Sequence, residues 1–457
     1  MNEALETVIE KPTAAGSRRV RGWVCGLALL AGAAAAARPA PTRIAFPVTT
    51  YQLRNGLQIL LAEDHSLPLI SVVVAYRVGS SRERPGRAGL AYLLQKLMFQ
   101  GSQNIGPLQH IAFINRIGGD FNATTSEDLT FFYETVPANQ LPLVLWLESD
   151  RMRFLDVRID AVERVRAGLI EEIIERRASE PYWDGNILFD QALFPDFSYS
   201  HPVIGTEEDV LSLTMEDIAD FYADFYAPNN AVLCLSGDFQ PLRVRELIAR
   251  YFETLPRGRD LPPAPAGQPR ERGGESQSVR NYLAPSPGFH MGFRIPSPGS
   301  REFAILTVLD YVLMRGETSR IRRRILHKER LAIELVGGVE KRRDQAAFQF
   351  FALANNDVMI ERCQSAILSE LGKIKTSFIG QEELARAKTM LRMDMVRRLA
   401  TSLDKALFLC ESFCLQPGFS DFAAELDKFL SVTPSEIIGV ANRYLKETDA
   451  LVLNIQK

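Results

Sequence analysis

The apolar residues of segment 87–101 recur in a helical rhythm. Leu90, Leu93, Leu94, Leu97 and Met98 fall at i, i+3, i+4, i+7 and i+8, which makes one buried stripe. Tyr92, Gln95 and Lys96 project from the adjoining face. Residues 160–178 repeat the rhythm, with Val162, Val165, Leu169, Ile173 and Ile174 on the stripe and Glu171, Glu172 and Glu175 off it. Segments 70–78 and 289–295 are short, nearly continuous apolar runs and predict strands. Two later stretches share a plan. Thr214 precedes Asp217 by three positions, a helical pattern follows through Ile218, Phe221 and Phe225, and residues 231–235 read as a strand. Thr433, Glu436, Ile437, Val440, Tyr444 and residues 450–453 repeat the same sequence of events. Each copy opens with a capping box, so the chain predicts a duplicated α+β domain.

Pro and Gly crowd residues 256–280, a composition that no helix or central strand tolerates. The expected organisation is an N-terminal extension over 1–45, a first domain over 46–255, a linker over 256–280 and a second domain over 281–457. With 457 residues, 46% of them hydrophobic and 24% charged, the chain has ample material for a core. A net charge of −3 gives no reason to expect nucleic acid as a partner. The run Arg322, Arg323, Arg324 reads as a solvated helix face rather than a polyanion site. Arg18, Arg19 and Arg21 precede an apolar run over residues 22–37, the pattern of a secretory signal cut near Ala37. That run is short for a permanent span, so export without stable membrane insertion is expected. The remaining Cys234, Cys363, Cys410 and Cys414 are too sparse for a disulfide-built fold, and Cys410 and Cys414 read as core thiols.

The chemistry of segment 87–101 is defined by what it lacks. A zinc hydrolase holds its metal with three side chains, usually imidazoles and a carboxylate, and keeps one position open for water. Two ligands at i and i+4 on one helix meet a single metal, and a Glu between them takes the proton of the water. Tyr92, Gln95 and Lys96 stand where that pattern needs His, Glu and His. Gln95 accepts no proton at any working pH. His65, His110, His201, His290 and His327 are scattered, with no i,i+4 pair among them.

Several ordered blocks give the chain a family likeness. They include Leu53-Arg54-Asn55-Gly56-Leu57, Gly86-Arg87-Ala88-Gly89-Leu90-Ala91, Gly118-Gly119-Asp120-Phe121-Asn122-Ala123-Thr124-Thr125 and His201-Pro202-Val203-Ile204-Gly205. Over residues 46–457 the sequence resembles the M16 metallopeptidases (insulinase, pitrilysin, mitochondrial processing peptidase) in their half-length M16B bacterial form. The resemblance implies two homologous domains, each a mostly antiparallel sheet with helices on one face, arranged as a clamshell around a cavity (a LuxS/MPP-like metallohydrolase fold). It identifies Tyr92, Gln95 and Lys96 as the positions of a degenerate HxxEH motif and Glu172 as a retained third-ligand position. On that plan Lys96 lies near the place of the metal and pairs with Glu172. An Arg and Tyr that clamp substrate in the family fall at Leu326 and Ile333 here, with Arg324 near enough to supply one half on a shifted register. The edge strand that pairs with substrate maps to Phe121, Asn122, Ala123 and Thr124.

These correspondences lead to one expectation and two rivals. The expectation is a periplasmic, catalytically inactive subunit without a cofactor of its own, completing a peptide-degrading chamber beside a partner that carries the intact HxxEH and the zinc. The rivals are a stand-alone peptide-binding or chaperone-like protein, and an enzyme using Lys96 as nucleophile or base in a desolvated pocket.

Overall fold

The predicted duplication is visible in the path of the strands. The computed structural model describes residues 46–262 and 276–457, apart from 195, 417 and 420. The first sheet holds β1 (Thr49–Gln52), β2 (Gln58–Glu63), β3 (Leu69–Tyr76), β4 (Asp120–Thr125), β5 (Thr130–Pro137) and β6 (Ala231–Gly237), in the order β1-β2-β6-β3-β5-β4. The second holds β7 (Ser276–Arg280), β8 (Gly288–Ile295), β9 (Ala332–Glu340), β10 (Ala346–Ala354) and β11 (Leu451–Gln456), in the order β7-β11-β8-β10-β9. With β1 set aside, the two orders are the same path. Each sheet has one parallel pair, β2 with β6 and β7 with β11, and is otherwise antiparallel.

The helices of the first half are α1 (Leu90–Leu97), α2 (Gln109–Arg116), α3 (Leu141–Arg153), α4 (Ile159–Ser179), α5 (Trp183–Leu193), α6 (Glu207–Ser212), α7 (Met215–Phe225) and α8 (Pro241–Phe252). Those of the second are α9 (Arg301–Leu313), α10 (Arg320–Arg322), α11 (Asp357–Thr376), α12 (Gln381–Arg397), α13 (Ser402–Leu415), α14 (Phe422–Leu430) and α15 (Pro434–Tyr444). A π-helical turn, Arg323–Lys328, continues α10. The α1 stripe is buried as expected. Both capping boxes form. The hydroxyls of Thr214 and Thr433 accept from the N–H groups of Asp217 and Glu436, whose carboxylates accept from the threonine N–H groups in return. Among the described residues no helix is long and apolar enough to cross a membrane. The expected export signal lies outside the described residues.

Two expectations change. Ile174 is 52% exposed, whereas Val162, Leu169 and Ile173 are buried. Its neighbour Ile173 already fills the stripe, and the next residue along a helix lies about 100° around the axis. The expected linker also ends early, because residues 276–280 form β7, an edge strand paired with β11. The Pro-rich part up to residue 262 carries no helix or strand, and residues 263–275 lie outside the described residues.

Each sheet has its own helices on one face and a helix from the other half on the second. Ile59, Leu61, Val72, Val74 and Leu233 turn into a core shared with α1, α3 and α7. The alternate residues Leu60, Val73, Val232 and Cys234 belong instead to the core of the second half, where α13 lies across β3 and β6. In return, Phe189 and Leu193 of α5 pack on Leu451 and Leu453 of β11. A Cβ at Gly292 would stand 2.7 Å from the Phe189 ring, so glycine at this point of β8 lets α5 seat closely. The seam is tied by the Ser71 and Ser402 hydroxyls at 2.8 Å and by the Arg343 N–H donating to Asp128 at 2.7 Å.

Candidate functional site

The geometry of α1 is set by a carboxylate at its start. Gly89 takes φ 90° to turn the chain into the helix, and a Cβ there would meet the Ile204 carbonyl at 2.5 Å. The N–H groups of Gly89 and Ala91 donate to Glu83 at 2.9 and 2.7 Å. His201 Nε2 is 2.9 Å from the same carboxylate, and its Nδ1 is 2.6 Å from the Phe197 carbonyl. Burial raises the Glu83 carboxyl above its ordinary value, and the bonds from His201 and the helix offset only part of that. His201 is therefore a structural residue that locks the entry to α1. No sequence pattern singled out Glu83, because its partners are a helix terminus and a histidine 118 positions away.

On the exposed side of α1 the expected pairing is present. Lys96 Nζ stands 3.0 Å from Glu172 Oε2. The Tyr92 hydroxyl donates to Glu172 Oε1 at 2.9 Å, and Arg176 Nη2 donates to the same oxygen at 2.9 Å. The Lys96 ammonium lies 4.9 Å from the centre of the Tyr92 ring. Burial alone would push the Glu172 carboxyl up. The bonds from Lys96 and Tyr92 and the charges of Lys96 and Arg176 outweigh it, so the group sits below its ordinary value. Burial pushes the Tyr92 phenol up, which keeps it a hydrogen-bond donor rather than a phenolate. Gln95 faces the sheet: its amide nitrogen donates to the Ala123 carbonyl at 3.3 Å, and its oxygen accepts from Thr125 at 2.7 Å.

This donor set does not fit a zinc ion. One carboxylate faces a phenol and two cations, its oxygens are already occupied, and the amide of Gln95 cannot draw a proton from water. The arrangement is a closed hydrogen-bond network, with the ammonium filling the role of a counter-charge.

One histidine does lie among carboxylates. His110 meets Glu134 and Glu148, and these three are the one His/Cys/Asp/Glu group among the described residues with ligand atoms within 4.8 Å of one another. Arg151 sits inside that group, with Nε 3.0 Å from Glu148, Nη2 3.4 Å from Glu134 and a further bond from Nη2 to Glu148. Its guanidinium also lies 4.2 Å from the Phe132 ring centre. A cation is already in place, so the cluster is a buried ion network. Burial and the Glu134 charge push Glu148 up to about 8 despite Arg151, and burial pushes His110 down to about 3.

The remaining expected positions divide. Strand β4, carrying Phe121, Asn122, Ala123 and Thr124, is at the edge of its sheet, and its residues are exposed or half-buried. The Ala123 N–H donates to its neighbour Asn122 at 2.8 Å, and the Phe121 N–H donates to Asp120 at 3.0 Å. Leu326 packs against the second core from the π-helical turn, and Ile333 is 63% exposed on β9. The Arg324 guanidinium is held by Glu329 at 2.6 Å and Glu370 at 3.1 Å. Cys410 is fully buried, and its thiol meets Cys234 of the other half.

Comparison with known proteins fits this frame. Residues 58–192 match the family model described as insulinase (peptidase family M16), and residues 212–391 match the one described as peptidase M16 inactive domain. The chain belongs to peptidase family M16. It is 28% identical to the zinc protease PqqE of Helicobacter pylori, across 87% of this chain and 90% of that protein. A crystal structure of a protease from Helicobacter pylori superposes with a TM-score of 0.83 at 26% identity, covering 91% of this chain and all of that one (100%). A peptidase M16 inactive domain from Pseudomonas fluorescens shares the fold, with a TM-score of 0.78 at 18% identity over 90% of this chain and 99% of that one. Within this M16 chain, the name zinc protease carried by a relative contrasts with the Tyr92, Gln95 and Lys96 found at the motif.

Proposed function

We propose that this M16 chain is the catalytically inactive, zinc-free member of a heterodimeric M16B-type peptidase. Its partner is an M16 subunit with an intact HxxEH and a bound zinc. The chain completes the chamber and holds unfolded peptide along β4. The observation that carries the reading is the Tyr92–Glu172–Lys96 network, which replaces metal chemistry with an ion pair while α1, α4 and β4 keep their places around it. An edge strand recognises peptide through backbone groups alone, so peptide holding survives the loss of catalytic side chains. The basic and apolar pattern of residues 18–37 supports export to the periplasm as part of the same reading.

Co-purification of the untagged partner from the native cell tests the pairing. The expected result is a one-to-one complex whose chelator-sensitive peptidase activity needs both chains. An isolated chain that stays monomeric, and a sister subunit that is fully active without it, would defeat the proposal. In that case protection of unfolded polypeptide by the pure chain would favour the chaperone-like rival.

A further inference from the structure

The hairpin that joins β4 to β5 decides which backbone groups of the edge strand face outward. The Ser126 N–H donates to the Leu129 carbonyl at 2.9 Å, and beyond that bond Thr124 stands opposite Phe131 and Asn122 opposite Tyr133. Antiparallel partners exchange ladder bonds at every second residue. Thr124 and Asn122 therefore bond to β5, while the N–H and C=O groups of Phe121 and Ala123 point away from it. Those four groups are what an added strand has to meet.

Three of the four are already held by side chains of the same molecule. The Phe121 N–H donates to Asp120 Oδ1 at 3.0 Å, and the Ala123 N–H donates to Asn122 Oδ1 at 2.8 Å. The Ala123 carbonyl accepts from Gln95 Nε2 at 3.3 Å. The holders differ in firmness. Asp120 and Asn122 are exposed, so water replaces either bond at little cost. Gln95 is 8% exposed, and the Thr125 hydroxyl fixes its amide oxygen at 2.7 Å, which turns the nitrogen toward Ala123. Pulling that amide off the carbonyl leaves a nearly buried donor without a partner. Only an amide serves both neighbours. A carboxylate of the same shape accepts from Thr125 but has no proton to give a carbonyl.

We infer that Gln95 governs strand addition at β4, because an extended peptide gains the Ala123 carbonyl only by displacing the Gln95 amide. The ligand that succeeds is one whose own backbone N–H takes that place. The inference rests on the peptide-holding reading above and adds to it the side chain that sets the affinity.

Fluorescence anisotropy on the purified full chain tests it. The probes are a labelled octapeptide of alternating threonine and alanine and the same peptide N-methylated throughout. Gln95→Met fills the space with no donor, and Gln95→Glu keeps the bond from Thr125 and loses only the donor. Each should bind the plain peptide about two- to tenfold tighter than the natural chain does, the span of one net hydrogen bond. Neither should gain affinity for the N-methylated peptide. Thermal unfolding shows which variants are folded, and either one suffices. Equal or weaker binding of the plain peptide by the variants overturns the role of Gln95 and leaves the peptide reading standing. A gain shared by the N-methylated peptide also overturns it, since the new side chain then offers only apolar contact. No binding of the plain peptide by any of the three chains overturns the peptide reading and this inference with it.

Discussion

Returning histidine and glutamate to α1, as Tyr92→His, Gln95→Glu and Lys96→His together, should convert the site into a zinc site. The present obstacle is chiefly electrostatic. Lys96 Nζ lies 3.0 Å from Glu172, so a divalent ion on that carboxylate would stand roughly 4 Å from an ammonium. At an effective dielectric of about 20 their repulsion is on the order of 8 kcal/mol, an upper bound because the lysine side chain can swing outward. Lys96 is 36% exposed. Even a quarter of that bound, about 2 kcal/mol, is roughly a thirtyfold loss of affinity. The triple variant removes the repulsion and adds two imidazoles beside the retained Glu172. Competition with a chromophoric chelator should show tight zinc binding by the variant and none by the natural chain. Zinc at a hundred times its dissociation constant should also stabilise the variant by about 2.7 kcal/mol in thermal unfolding. A folded triple variant that ignores zinc would refute the claim that the scaffold around α1 retains the geometry of a metal site.

Other consequences concern the buried groups that hold the first half together. Arg151→Met leaves Glu134 and Glu148 without their cation and should cost about 3–5 kcal/mol in urea unfolding; a loss below about 1 kcal/mol would contradict the network. The same cluster gives stability a two-sided pH dependence. Glu148, held up at about 8 against an ordinary 4.5, contributes stability that is complete below pH 4.5 and lost as pH rises through 8. His110, pushed down to about 3 from 6.5, contributes stability that is present above pH 6.5 and lost as pH falls through 3. Glu148→Gln should flatten the alkaline limb of a stability profile, and an unchanged limb would show that another group titrates there. Glu83→Ala strips the acceptor from the Gly89 and Ala91 N–H groups, at about 1–3 kcal/mol. Hydrogen exchange at those two amides should accelerate, and unchanged protection would mean that α1 is held by something else.

What the sequence disclosed was whatever its local rhythm encodes. The α1 stripe, the capping boxes at Thr214 and Thr433 and the repeated succession of capping box, helix and strand all follow from residues close together in the chain. Glu172 and the edge strand around Ala123 came from the family resemblance, and the structure places both beside α1. The rest depends on partners far apart in sequence. Strand β7 looked like linker because its ladder is supplied by β11, at the other end of the second half. The apolar faces of α5 and α13 carry no mark showing that they serve the opposite sheet. His110, Glu134, Glu148 and Arg151 are unremarkable one by one and become a network only when α2, α3 and β5 converge.

The account stands most directly on the metal content of the isolated chain. Purified, tag-free protein, equilibrated with zinc and then passed through a desalting column, can be assayed by elemental analysis alongside a Glu172→Gln variant. The account predicts no retained zinc in either sample and no chelator-sensitive peptide cleavage. One zinc per chain, lost on Glu172→Gln, would contradict it.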